Sequence, residues 1–170
     1  LDADYVRGAA RLAAQYGALL IIDEVQSGNG RSGKLYAYMH YGVQPDIVST
    51  AKGLGGGLPI GATMFNEKTA DVFQPGDHGS TFGGNPVSCA GGVSILERID
   101  DALLSRVQAK SNMIRTALTG APGVEEVTGL GLMLGVKTTR PVGEVVAECM
   151  EQGVLVLKAK DRMRLLPALN

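Results

Sequence analysis

Two residues in this 170-residue sequence have types and positions that suit covalent chemistry. Asp23 closes the apolar run "LLII", and Lys52 follows "DIVST" and precedes the glycines of "GLGGG". In a parallel sheet, reactive groups collect beyond the carboxyl ends of the strands, so one sheet edge can hold this carboxylate and this amine together. On residue types alone a structural ion pair is the more frequent reading of such a pair. A third reading, a loop that cradles phosphate, needs Lys-Ser or Lys-Thr after its last glycine. Here Lys52 precedes the glycines and Gly53 follows it. A dinucleotide loop fails as well, because "GLGGG" leads into Leu-Pro and a strand rather than a helix.

The elements that must position these residues read as strands alternating with helices. Residues 3–16 place Tyr5/Val6, Ala9/Ala10, Leu12/Ala13 and Tyr16 at helical spacing, with Gly17 as the stop. "ALLIID" (18–23) reads as a strand in a sheet covered on both faces. "SGNGRSGK" is a loop, Tyr36–Tyr41 a short helical or irregular piece, and "DIVST" and "IGATMFN" two further strands. From about Val87 to Leu118 a helical period persists, with Asp100, Asp101 and Lys110 on its wet side. "GVEEV" and "GLMLGV", a helix over Val142–Gln152, then "VLVL" and "RMRLLP" describe a smaller α+β unit. The fold class is therefore α/β with a second α+β unit, and the expected division is 1–84 and 85–170.

Composition narrows the function. A net charge of −1 gives no electrostatic case for nucleic acid or an anionic membrane surface. The longest apolar run, Ala18–Ile22, is too short to cross a bilayer. Cys89 and Cys149 have neither metal-ligand nor disulfide-framework spacing, so no metal is expected. Two small core cysteines fit a reducing, cytoplasmic setting.

"LLIIDEVQSGNGRSG", "PDIVSTAKGLGGGLPIGA" and "GSTFGGNP", in that order, closely resemble the class III (fold-type I) pyridoxal-phosphate aminotransferases. "GKLYAYMHYGVQPDIVSTAKGLGGGLPIGA" is most similar to the acetylornithine branch. The spacing from Asp23 to Lys52 is also similar to the family's. The resemblance implies a large domain with a mixed, mostly parallel sheet followed by a small α+β domain. It implies pyridoxal 5′-phosphate as cofactor, Lys52 as the Schiff-base lysine and proton shuttle, and Asp23 as the partner of the pyridine nitrogen. A lysine suits the first role because it can shed its charge, whereas arginine cannot.

Strand parity puts Asp23 and Glu24 on opposite faces without choosing between them, and the resemblance chooses Asp23. It places Val25 against the ring face and the Gln26 amide at the phenolic oxygen. Thr81 is implied at the cofactor phosphate of the neighbouring subunit, hence a homodimer with composite sites, with Ser80 beside it as a substrate contact. Arg164 matches the arginine that holds the substrate α-carboxylate, although residue type does not separate it from Arg162. Without the resemblance, these residues read as core packing, surface amide, loop hydroxyls and solvated strand arginines. Arg31 reads as a loop anchor.

The implied reaction passes an amino group from N-acetylornithine to 2-oxoglutarate, in arginine biosynthesis. The alternatives are an ornithine, succinylornithine or 4-aminobutyrate aminotransferase, or a folded fragment without catalysis. The sequence starts at Leu1 before a helix and stops at Asn170 after an apolar run. The family's upstream phosphate loop, ring-stacking aromatic residue and gating glutamate have no counterpart in it. The expectation is therefore an internal or C-terminal portion of a longer enzyme, with weak or no activity in isolation. One departure is local: many relatives carry an arginine ahead of the "GLMLG" segment, where this chain has Thr128 and Gly129.

Overall fold

The computed structural model describes all residues, 1–170. The chain forms two compact units, Leu1–Asn29 with Lys34–Asp100, and Gly30–Gly33 with Asp101–Asn170.

The first unit opens with α1 (Ala3–Gln15). The Asp2 carboxylate caps it by accepting the N–H groups of Asp4 and Tyr5 at 2.8 and 3.4 Å. Gly17, at φ +65°, ends the helix in the left-handed conformation that glycine tolerates. Three strands follow, β1 (Ile21–Asp23), β2 (Ile47–Thr50) and β3 (Ala62–Phe65), in the order β1-β2-β3. β1 and β2 are parallel, with Asp23 opposite Ser49, whereas β2 and β3 are antiparallel. Asp46 ties their near ends together. Its carboxylate accepts from Leu20 N–H (2.8 Å) and Asn66 Nδ2 (3.0 Å) and faces Lys68 Nζ at 3.5 Å. The Leu20 hydrogen bond, then Asn66 and Lys68, hold this carboxyl below the usual carboxylate range.

The expectation of a sheet covered on both faces does not hold within this chain. Val48 is buried on β2, but Ile21 on β1 is 61% exposed and Leu19 lies open before it. The strand is also shorter than "ALLIID", because its ladder begins at the Ile21–Ile47 pair. A short 3-10 turn occupies Ala37–His40, as the irregular reading of that piece anticipates.

The helical period of Val87–Leu118 belongs to two helices, α2 (Pro86–Leu96) and α3 (Asp101–Leu118). Apolar spacing continues through the break at 97–100, so period alone conceals it. Asn85 caps α2 through Val87 and Ser88 N–H, with Pro86 at the first helical position. α2 packs on the loop after Lys52: a Cβ on Gly91 would stand 2.7 Å from Leu58 Cδ1, and one on Gly56 2.8 Å from Ile95 Cδ1. This packing places the division between the compact units after Asp100 rather than at 84/85.

The second unit is an antiparallel sheet of β4 (Val124–Leu130), β5 (Met133–Thr138), β6 (Leu157–Ala159) and β7 (Arg162–Leu165), in the order β4-β5-β7-β6. β6 begins later than "VLVL" suggests, because the turn at Lys160 (φ +58°) and Asp161 sets the Ala159–Arg162 pair. Helix α4 (Val142–Glu151) covers this sheet, with Val136, Val142 and Met163 at the centre of the core and Val145, Val146 and Cys149 against it. Cys89 and Cys149 are free thiols.

Candidate active site

The parallel pairing fixes where the two reactive residues emerge. Asp23 is the last residue of β1, and Lys52 lies two residues past the end of β2, so both leave the carboxyl edge of the same pair. One further ladder bond, Glu24 N–H to Ser49 O at 2.8 Å, holds the strand ends together.

The adjacent carboxylates are used differently. Glu24 is fully buried, accepting from Ser27 Oγ (2.6 Å) and the Tyr38 N–H (2.8 Å), so its charge organises the loop from inside. Burial, then the Glu24 charge, pushes the Tyr38 phenol up. Asp23 is exposed, and its Oδ1 accepts the Val25 N–H at 2.8 Å in an Asx turn that holds the carboxylate at the strand end. The choice that parity left open is thereby narrowed: Glu24 is committed internally, and Asp23 faces outward.

Strand alternation does not extend to Val25, because the chain turns immediately after Glu24, where Gly28 N–H bonds Glu24 O at 2.9 Å. Val25 and Gln26 are half-buried in that turn. Gly28 is required there, since a Cβ would meet Glu24 O at 2.7 Å and Tyr36 Cδ1 at 2.9 Å.

Lys52 is exposed and starts a 3-10 turn, Lys52–Gly55, with φ +50°. A side chain with a Cβ rarely adopts that conformation, and such outliers cluster at functional sites. The glycines after it serve the backbone more than open space. Gly56 and Gly57 have φ +60° and +107°, and Gly55 lies so close to Ile60 that a Cβ would stand 2.7 Å from Cγ2.

Ser80 and Thr81 are exposed in the link between β3 and α2, and the hydrogen bond there is local, Gly83 N–H to Ser80 O. No hydrogen bond joins them to Asp23 or Lys52.

The two arginine candidates belong to the second unit, and the structure separates them. Arg162 Nη2 is paired with Glu126 at 2.7 Å and Nη1 bonds Thr128 Oγ1 at 3.3 Å, and the Glu126 hydrogen bond raises its pKa. Arg164, on β7 opposite Gly135, has a buried Nε with no partner. Arg31 is the anchor expected, donating to the carbonyls of Leu132 and Pro167, while burial lowers its pKa. Gly131 packs so tightly on that loop that a Cβ would meet Arg31 O at 2.5 Å.

Sequence reasoning weighed Glu24 only as an alternative to Asp23 and passed over Asn29. Glu24 is a buried anchor, and Asn29 is buried and bonded to the strand that leads into Lys52. The Asn-Gly step in "SGNG" was the available signal for the second, since asparagine before glycine favours left-handed backbone.

An exposed amine on left-handed backbone and an outward carboxylate at the end of the adjacent parallel strand are the groups that a lysine-based carbonyl chemistry needs. The donor set suits a cofactor with an aldehyde and a protonatable ring nitrogen. The chain belongs to the aminotransferase class-III family, whose sequence pattern matches residues 1–170. Members of this family depend on pyridoxal 5′-phosphate. The chain is 47% identical over 171 residues to an acetylornithine aminotransferase of Haemophilus ducreyi, covering 99% of this chain and 44% of that protein. A Streptomyces coelicolor acetylornithine aminotransferase is 48% identical over 172 residues, with 98% and 43% covered. Among solved structures, N-acetylornithine aminotransferase from Stenotrophomonas maltophilia aligns with a TM-score of 0.89 at 32% identity, over 99% of this chain and 46% of the other. Ornithine aminotransferase from Toxoplasma gondii aligns with a TM-score of 0.90 at 36% identity, over 98% and 42%. The chain thus spans less than half the length of these relatives.

Proposed function

We propose that this chain supplies the Schiff-base lysine and the ring-nitrogen carboxylate of a cytoplasmic acetylornithine aminotransferase. The observation that carries the reading is Lys52 at φ +50°, two residues past the end of β2, whose parallel neighbour β1 ends at Asp23. Pyridoxal phosphate, when bound, supplies an aldehyde and an electron-withdrawing ring.

Lys52 Nζ would offer the nucleophilic amine that holds the cofactor aldehyde and, in its neutral form, would carry a proton to and from the substrate carbon. The Asp23 carboxylate holds a proton at the ring nitrogen, which its outward position at the strand end permits. Val25 covers the ring with apolar surface, and Gln26 donates from its amide to the phenolic oxygen. Thr81 serves the phosphate in a neighbouring copy, which makes the protein a homodimer with shared sites, and Ser80 contacts substrate. Arg164 takes the substrate α-carboxylate. Its unpaired Nε supports it over Arg162, whose fork is engaged by Glu126.

The donor is N-acetylornithine and the acceptor 2-oxoglutarate, consistent with the acetylornithine relatives at 47% and 48% identity and a step in arginine biosynthesis. Ornithine is the second reading, favoured by the Toxoplasma gondii structure with its TM-score of 0.90. Steady-state rates of the full-length protein with each donor and 2-oxoglutarate test the choice. A higher kcat/KM for N-acetylornithine supports the first reading, and a higher value for ornithine replaces it with the second.

A further inference from the structure

Asn29 is 6% exposed, and its side-chain amide nitrogen donates two hydrogen bonds, to Thr50 Oγ1 and to the Ala51 carbonyl, each at 3.0 Å. The carbonyl acceptor fixes which end of the amide is nitrogen, because only that end donates. The other end, Oδ1, is buried and has no partner. A Cβ built on Gly53 would stand 3.8 Å from Asn29 Cβ, so a side chain there would only just touch Asn29. The two residues before Lys52 are therefore both bonded to Asn29. Asn29 and Lys52 are both in unusual conformations, at φ +54° and φ +50°. Asparagine enters that region more readily than most residues with a Cβ, whereas lysine must be held there.

We propose that Asn29 is a positioning residue that clamps the Thr50–Ala51 backbone and so holds Lys52 in the left-handed conformation from which its amine meets the cofactor aldehyde. A merely structural residue at this position would serve the strand end whether or not the lysine were present. Asn29 serves the amine. Its removal leaves Lys52 chemically intact but free to relax, which lowers the effective concentration of the amine at the aldehyde. The loss is thus expected to fall on the covalent part of cofactor binding. The inference rests on the assignment of Lys52 in the preceding subsection.

A double-mutant cycle on cofactor affinity in the full-length protein tests it, with pyridoxal 5′-phosphate as the probe and the apo-protein titrated by equilibrium fluorescence. Asn29→Gly is the informative change, since glycine accepts the left-handed backbone and only the side-chain bonds are lost. Asn29→Gly is expected to weaken cofactor binding about tenfold when Lys52 is present and less than about twofold in the Lys52→Ala background. Equal weakening in both backgrounds, or none in either, overturns the proposal while leaving the role of Lys52 standing. If pyridoxal phosphate fails to bind the unaltered protein, or Lys52→Ala alone leaves its affinity unchanged, the assignment of Lys52 fails and this inference with it. Should Asn29→Gly not fold, Asn29→Asp replaces it in the cycle. It keeps the size and the tolerance of left-handed backbone, exchanges the donor for an acceptor, and carries the same expected and overturning outcomes.

Discussion

The two units of this chain close their cores to different degrees. In the second, Leu132, Leu134 and Val136 are at most 1% exposed, and the sheet is packed against α4. In the first, Tyr36, Val48 and Leu54 are the buried hydrophobic residues, while Leu12, Tyr16, Ile21, Val72 and Phe73 lie open. Apolar burial is the dominant favourable term in folding, so the second unit holds most of the stabilisation that this chain generates within itself. The first unit carries the lysine and the aspartate. It is held less by core than by hydrogen-bonded anchors: Asp46 at the strand starts, Glu24 at the turn and Asn29 at the lysine. The contrast is one of how each unit is held: apolar packing dominates one, while polar anchors tie the strand ends and turns that carry Asp23 and Lys52 in the other.

The contrast can be broken most sharply at Lys52. Replacing it by alanine in the full-length protein is expected to lower turnover by about 10²–10⁴-fold. Unfolding free energy of the cofactor-free protein should stay within about 0.5 kcal/mol, as for other exposed positions. A large loss of stability would place Lys52 among the structural anchors instead. Next in size is a matched pair of truncations in the 170-residue chain, followed by chemical denaturation. Leu134→Ala, at 1% exposure, should cost about 2–5 kcal/mol. Ile21→Ala, at 61% exposure, should cost under about 1 kcal/mol. Equal losses would erase the distinction between a closed and an open unit.

The smallest effect concerns Asp46. Its folded pKa lies below the unfolded value of about 3.9, so its stabilisation is complete above that value. The stabilisation is lost as pH falls through the folded pKa. Asp46→Asn should therefore flatten the acid side of the stability profile and leave the profile near neutrality parallel to the original. An unchanged acid limb would show that the Leu20 and Asn66 hydrogen bonds do not govern it.

Much of the fold was legible because apolar spacing reports which residues face a core. The strands at "DIVST" and "GLMLGV", α1 with its Gly17 stop, and α4 all follow from spacing and caps. Spacing does not report interruptions, which is why α2 and α3 read as one helix. It also does not report which unit a helix packs against, and so placed the division before α2. At the site, the type and order of Asp23, Lys52 and the glycines were legible. The backbone of Lys52 was not, because no local spacing or turn signal around it marks a left-handed lysine, and Asn29, which bonds the two residues before it, is distant in sequence. The inward commitment of Glu24 was hidden for the same reason, since its partners include the Tyr38 N–H across a turn.

The central claim, that Lys52 is the amine that meets the cofactor, is tested by reducing the full-length protein with borohydride in the presence of pyridoxal 5′-phosphate. Peptide mass spectrometry then locates the phosphopyridoxyl group. The account predicts a single modified peptide, carrying the group on Lys52, and no stable label in Lys52→Ala. Stoichiometric label on another lysine, or label retained in Lys52→Ala, would contradict it.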